Sequence, residues 1–217
     1  MRGFRRAVEV GADGVELDVQ PSADQVAVVI HDATLDRTTD GTGSVPALPW
    51  ESIAAARTGG EPVPRLEQAA AWAAESGAWL NVEVKSPGAE AAALAAIRDA
   101  GVMERTFFSS FLPEIVAEVG RLAPHATRYF LTKRWDNEVR AGVRALGVQG
   151  VCLHLPIATS EVLDELRREG LAAVVWTVDD PAEIRRLVRA GVRAVITNRP
   201  ETGVAVRREE SANSSRG

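Results

Sequence analysis

The sequence predicts an α/β fold: a (β/α)8 TIM-type barrel with its first strand missing and a β-hairpin inserted after the Glu-x-Asp strand. Three observations predict it. Short β-rich runs alternate with amphipathic helical runs along most of the chain, and strand, helix, strand repeated in this way means parallel strands joined by crossovers. Seven such strands can be placed, and the chain opens on a helical stretch, FRRAVEVGA, that ought to follow a strand. An eight-stranded barrel without strand one accounts for this better than a complete doubly wound sheet. At 217 residues the chain suffices for one barrel core, so one domain is expected over 1–203, followed by a disordered polar tail over 204–217.

The strands are GVELDV (14–19), WLNVEVK (79–85), TFFSSF (106–111), TRYFLT (127–132), GVCLHL (150–155), AAVVWTV (172–178) and AVITNRP (194–200). Between most of them, runs such as LEQAAAWAAESG, AEAAALAAIRDAG and PAEIRRLVRAG carry Ala, Leu and Val at three- and four-residue spacing, and several end in Gly, a usual helix stop. QVAVVIHD (25–32) breaks the alternation. It begins too soon after GVELDVQ for a parallel crossover of about a dozen residues, so it is expected to return antiparallel around a turn at Ser22 to Gln25. With the turn centred there, pairing residues sum to 47 and His31 falls opposite Glu16. The following stretch, TLDRTTDGTGSVPALPWESIAAARTGGEPVP, is rich in Gly, Thr and Pro and reads as a long excursion over the barrel mouth.

Composition narrows the function. Hydrophobic residues at 46% and charged residues at 25% are those of an ordinary globular protein. A net charge of -5 with scattered basic residues argues against a nucleic-acid partner and leaves a small-molecule site. A single cysteine, Cys152, excludes an intrachain disulfide and reads as a small buried strand residue. No apolar run approaches the roughly 18 residues of a membrane span, and the N-terminus lacks the apolar core of a signal peptide, so a cytoplasmic location is expected.

Alternation with period two supplies the candidate site. In GVELDVQ, Val15, Leu17 and Val19 share one face and Glu16, Asp18 and Gln20 the other; in NVEVK, Asn81, Glu83 and Lys85 point inward. Adjacent carboxylates repel and are costly to desolvate unless something positive lies between them. Glu16, Asp18 and Glu83, delivered to the C-terminal rim where barrel enzymes keep their sites, suit a hard divalent cation, Mg²⁺ or Ca²⁺. Spacing alone allows them equally to be solvated carboxylates at strand ends. An inward Lys85 and a histidine brought over by the hairpin favour a site.

GADGVELDVQ, VVIHDATLDRTTDGTGSV, NVEVK, SSF, WTV and TNRP, in this order, resemble the successive motifs of glycerophosphodiester phosphodiesterases, from Phe4 to Pro200. The resemblance implies metal-dependent hydrolysis of glycerophosphodiesters to glycerol 3-phosphate and an alcohol. It also implies that Glu16, Asp18 and Glu83 hold the divalent metal, that His31 is one of two acid/base histidines, and that Lys85 contacts phosphate. Members of the family begin with a strand ending in His-Arg-Gly, followed by Pro-Glu-Asn-Thr. Here FRRAVEVGAD matches the end of the helix beyond that motif, so one acid/base histidine and one phosphate-binding arginine are expected to be absent from the chain as given. Thr197-Asn198-Arg199-Pro200 carries Asn where the family has Asp, a mild change at the rim.

Phe111, His154 and Trp176 are further candidates for contact with substrate, against plain rim or core positions. His125 reads as a surface residue, and Trp50, Trp72, Trp79 and Trp135 as core or loop anchors. Two rival functions stand beside the hydrolase: a non-catalytic, truncated or degenerate relative that binds phosphodiesters, and another barrel enzyme using a metal and a lysine, such as an enolising lyase. The His-Asp hairpin counts against the second.

Overall fold

The structure, a computed structural model, describes residues 1–214. Helix α1 (Arg2–Glu9) leads into β1 (Gly14–Pro21), and β2 (Ala27–Val29) turns back beside it. After the excursion, with α2 (Trp50–Ala54), β3 (Arg57–Thr58) and β4 (Glu61–Pro62), the alternation is regular. It runs α3 (Leu66–Ser76), β5 (Trp79–Val84), α4 (Glu90–Asp99), β6 (Thr106–Ser110), α5 (Pro113–Leu122), β7 (Thr127–Thr132) and α6 (Asn137–Leu146). It continues with β8 (Gly150–His154), α7 (Ser160–Arg168), β9 (Ala172–Trp176), α8 (Pro181–Arg189), β10 (Ala194–Val195) and α9 (Pro200–Ser214).

Eight of the strands form one curled sheet in the order β10-β9-β8-β7-β6-β5-β1-β2, and β3 and β4 pair antiparallel as a separate two-stranded ribbon. In the curled sheet the seven expected parallel strands are present, and β2 runs antiparallel at its edge. Among the described residues β10 and β1 do not pair, so the barrel is curled but its ring of hydrogen bonds is not closed. The helical layer does bridge that side. Arg6 on α1 reaches Glu201 on α9 at 3.3 Å, and Arg207 binds Asp13 and the Gly11 carbonyl. No helix among the described residues is long and apolar enough to cross a membrane.

Local chemistry sets the boundaries. Asp136, Thr159 and Asp180 accept hydrogen bonds from the first free amides of α6, α7 and α8, and Gly77 and Gly147 close α3 and α6 in the left-handed region, where a side chain would be strained. Between sheet and helices lies the outward face of the strands: Leu17, Val19, Leu80, Val82 and Val84 in one half, Val151, Leu153, Ala173 and Val175 in the other. Inside the curl, Tyr129, Leu131, Cys152 and Val174 form a smaller core. The site stands above this core.

Four expectations are corrected. The hairpin pairs Val19 with Val29, Gln20 with Val28 and Pro21 with Ala27, so partners sum to 48 and His31 is not opposite Glu16. The cause is the turn. The Ser22 hydroxyl accepts from the Val26 amide at 2.8 Å and donates to Asp24 at 2.6 Å, and Gln25 takes φ 62°, which centres the turn on Asp24. Second, the excursion is no bare loop: Val28, Ile30, Leu35, Val45, Ile53 and Val63 bury one another beneath it, with Trp50 packed against them. Third, the tail expected from residue 204 is helical to Ser214. Val204 and Val206 are buried, and Arg189 pairs with Glu210 at 2.7 Å, partners that composition does not reveal; residues 215–217 of that tail lie outside the described residues. Fourth, the last strand stops at Val195, because Thr197 and Asn198 turn to bond Asp179 and Pro200 opens α9.

Gly14 shows how tightly β1 and β5 are set: a Cβ there would lie 2.3 Å from the Trp79 carbonyl oxygen. Gly14→Ala is expected to cost about 1–3 kcal/mol through forced backbone displacement. Urea denaturation reads it as a lowered midpoint, and an unchanged midpoint would contradict this close approach.

Candidate active site

Glu16 and Asp18 from β1 and Glu83 from β5 share one face because the two strands run parallel with Glu16 beside Asn81 and Asp18 beside Glu83. One carboxylate oxygen from each lies within 4.8 Å of the others. Lys85 Nζ stands 2.7 Å from Glu83 and 3.3 Å from Asp18. One ammonium thus faces three carboxylates. Burial first, then the charges of Asp18 and Glu83, push the Glu16 carboxyl up to about 8, with Lys85 pulling the other way. Burial also raises Glu83, against the hydrogen bond from Lys85. For Lys85, burial acts to lower its pKa, but the hydrogen bond and charge of Glu83 and the charge of Asp18 outweigh it and hold the ammonium protonated. The cluster is short of positive charge and offers oxygen donors alone. The donor set therefore fits a hard divalent ion.

His31 lies past the hairpin ladder, yet its charge is felt at Glu83. Its Nδ1 is 2.7 Å from Asp32, which Arg37 grips through two hydrogen bonds of 2.5 and 2.7 Å. The Arg37 bonds foremost, then that of His31, hold the Asp32 carboxyl well below the usual carboxylate range. An ionised carboxylate only accepts, so Nδ1 carries the proton and Nε2 is left to exchange one. Gln20 joins this arm to the acid cluster: its Nε2 donates to the His31 carbonyl at 3.2 Å, and its Oε1 accepts from Ser86, just beyond β5. Parity already sets Gln20 inward with Glu16 and Asp18, and that signal could have marked it as a site residue.

The other candidates gather on the opposite side of the mouth. Phe111, His154 and Trp176 follow the inward parity of β6, β8 and β9. Trp176 meets Phe111 edge-on at 5.7 Å and His154 at 4.9 Å, and its Nε1 donates to the Cys152 carbonyl at 3.3 Å. Cys152 lies beneath: burial, then the charges of Glu83 and Glu16, raise its thiol. Lys133, one residue past β7 and inward like Tyr129 and Leu131, joins this group, and the same parity would have exposed it in TRYFLTK. His125 is exposed, and Trp72 is buried. Trp135 donates to Glu165 at 3.1 Å, whereas Trp79 is exposed with Arg193 4.7 Å over its ring, an outer contact and no core anchor. Asn198 donates to Asp179 through both its backbone and side-chain amides, a place where a second carboxylate would repel.

Residues 1–202 match the model of the glycerophosphoryl diester phosphodiesterase family. The chain belongs to this family. A glycerophosphodiester phosphodiesterase of Caldanaerobacter subterraneus is 34% identical over 215 residues, covering 92% of this chain and 87% of that protein. The solved glycerophosphodiester phosphodiesterase of Agrobacterium tumefaciens is 28% identical, with a TM-score of 0.81 over 93% of this chain and 90% of its own. An Oleispira antarctica phosphodiesterase, solved with the product sn-glycerol-3-phosphate, shares the fold at 23% identity, with a TM-score of 0.83 over 94% of this chain and 88% of its own.

The raised carboxyls of Glu16 and Glu83 have a sign for stability. The native chain holds these protons more tightly than the unfolded chain, so the stability they contribute is full below the ordinary carboxylate range and is lost as pH rises, for Glu16 as pH climbs towards about 8 and for Glu83 in the same direction. In chelator the melting temperature is expected to fall between pH 5 and 8, and Asp18→Asn, by removing a repelling charge, to flatten that fall. Thermal melts across this window check it; a metal-free protein that gains stability over the same range would contradict it.

Proposed function

We propose that this phosphodiesterase family member hydrolyses glycerophosphodiesters to glycerol 3-phosphate and an alcohol, using a divalent cation held by Glu16, Asp18 and Glu83. One observation supports the reading: three carboxylates and a protonated lysine share one rim, and Gln20 on β1 bonds the backbone of the aspartate-braced His31. When bound, Mg²⁺ or Ca²⁺ supplies Lewis-acid stabilisation of charge on the phosphoryl oxygens. Lys85 adds a fixed positive charge directed at the same oxygens, where negative charge grows in the transition state. His31 Nε2 takes a proton from the attacking hydroxyl or returns one to the leaving oxygen, while Asp32 and Arg37 hold its ring and tautomer. Phe111, His154 and Trp176 face the ester arm that lies across the mouth and shield it from water.

The test is release of glycerol 3-phosphate from a panel of glycerophosphodiesters with added Mg²⁺ or Ca²⁺, and its loss in chelator. Asp18→Ala is expected to weaken the metal titration in calorimetry. His31→Ala should lower kcat by about 10²–10⁴-fold, the usual worth of general acid–base catalysis, and leave the metal titration intact. A protein that binds the diesters but releases nothing would replace the hydrolase with a phosphodiester-binding relative.

A further inference from the structure

We propose that Lys133 sets the head-group preference of this site, disfavouring diesters whose alcohol carries a cation and favouring those whose alcohol carries a second anionic group. The inference rests on the glycerophosphodiester reading above. Lys133 Nζ lies 5.8 Å from the centre of the Phe111 ring and 5.6 Å from that of Trp176, and these two rings meet edge to face. Aromatic faces converging in this way are what recognises a quaternary ammonium ligand. Here the protein's own ammonium occupies them.

The two lysines of the mouth differ in what they have left to offer. Lys85 belongs to the phosphodiester end of the site and is already paired with Glu83 and Asp18, whereas among the described residues no carboxylate stands within ion-pair distance of Lys133. Its charge is therefore available to a ligand. With the phosphodiester held by Lys85 and by the cation that Glu16, Asp18 and Glu83 would bind, the alcohol arm of the proposed complex crosses the mouth to the ends of β6, β7 and β9, which carry Phe111, Lys133 and Trp176. A choline there meets aromatic faces already occupied and a like charge a few ångströms away; a phosphate there meets an unpaired ammonium. At an effective dielectric of about 40, between that of a protein surface and water, a charge pair about 6 Å apart changes affinity by about tenfold.

The experiment compares kcat/KM for glycerophosphocholine, glycerophosphoglycerol and glycerophosphoglycerol phosphate in the wild type, Lys133→Met, Lys133→Glu and Lys133→Arg. The wild type should rank anionic above neutral above cationic. Lys133→Met should raise choline relative to glycerol by about tenfold, Lys133→Glu should raise it further, and Lys133→Arg should keep the original order. Ratios that stay put in both the Met and Glu variants overturn the proposal. Calorimetric binding of the same three diesters, on a His31→Ala background with and without Lys133→Met, reads the ranking without turnover. A wild type inert on all three refutes the hydrolase reading while that binding order still decides the head-group one. Equal affinities in both proteins, or no binding at all, overturn it.

Discussion

Three carboxylates on two neighbouring parallel strands repel one another where water reaches them poorly, and the rim is organised around that repulsion. The in-register pairing of β1 with β5 brings Asp18 beside Glu83 and so creates the conflict. Lys85 relieves part of it, at the cost of being bound to two of the three acids. The remainder appears as a Glu16 carboxyl held near 8, an acid that loses its proton at neutral pH only when further positive charge arrives. An arrangement that costs stability and persists at a barrel rim belongs to function more than to folding.

The mouth has two unlike halves. On the β1–β5 side, charge and hydrogen bonds dominate, and Gln20 holds the histidine-bearing arm against the strand ends that carry the acids. On the β6–β9 side, aromatic rings and one unpaired ammonium line the opening. Such a division suits a substrate with a charged centre and a variable arm. In the proposed reading, the first half would handle the phosphodiester and the second would meet the alcohol attached to it.

The His31 arm owes its place to features outside the strand pattern. A turn centred on Asp24 moves the pairing by one residue, and Asp24 also accepts from the Trp50 amide at 2.9 Å, which ties the turn to the excursion. The small core under that excursion gives the arm a foundation of its own. Arg37 then grips Asp32 and Asp32 grips His31, so a side chain on an irregular segment acquires a defined ring orientation. Parity extended through the turn set His31 opposite Glu16; the ladder instead ends at Val29, and His31 stands beyond it with its ring on Asp32.

Much of the architecture was legible because repeating patterns carry it. Period-two alternation assigned Glu16, Asp18, Glu83 and Lys85 to one face, and apolar spacing with glycine stops located the helices from α3 to α8 to within a few residues. Those features depend on neighbours a few positions apart, so a linear string contains them. The hairpin register, the helix over residues 200–214 and the meeting of Lys133 with Phe111 and Trp176 were decided by the tertiary structure. The register turns on a local contact that alternation does not count, the Ser22 hydroxyl bound to the Val26 amide, whereas the other two depend on partners farther along the chain: arginines of α8 that meet Glu210, and strand ends that only the curl of the sheet brings within reach of one ammonium. The sequence by itself determined which side chains face inward; which of them touch was decided by how far the sheet bends, a quantity summed over every strand and written in none of them.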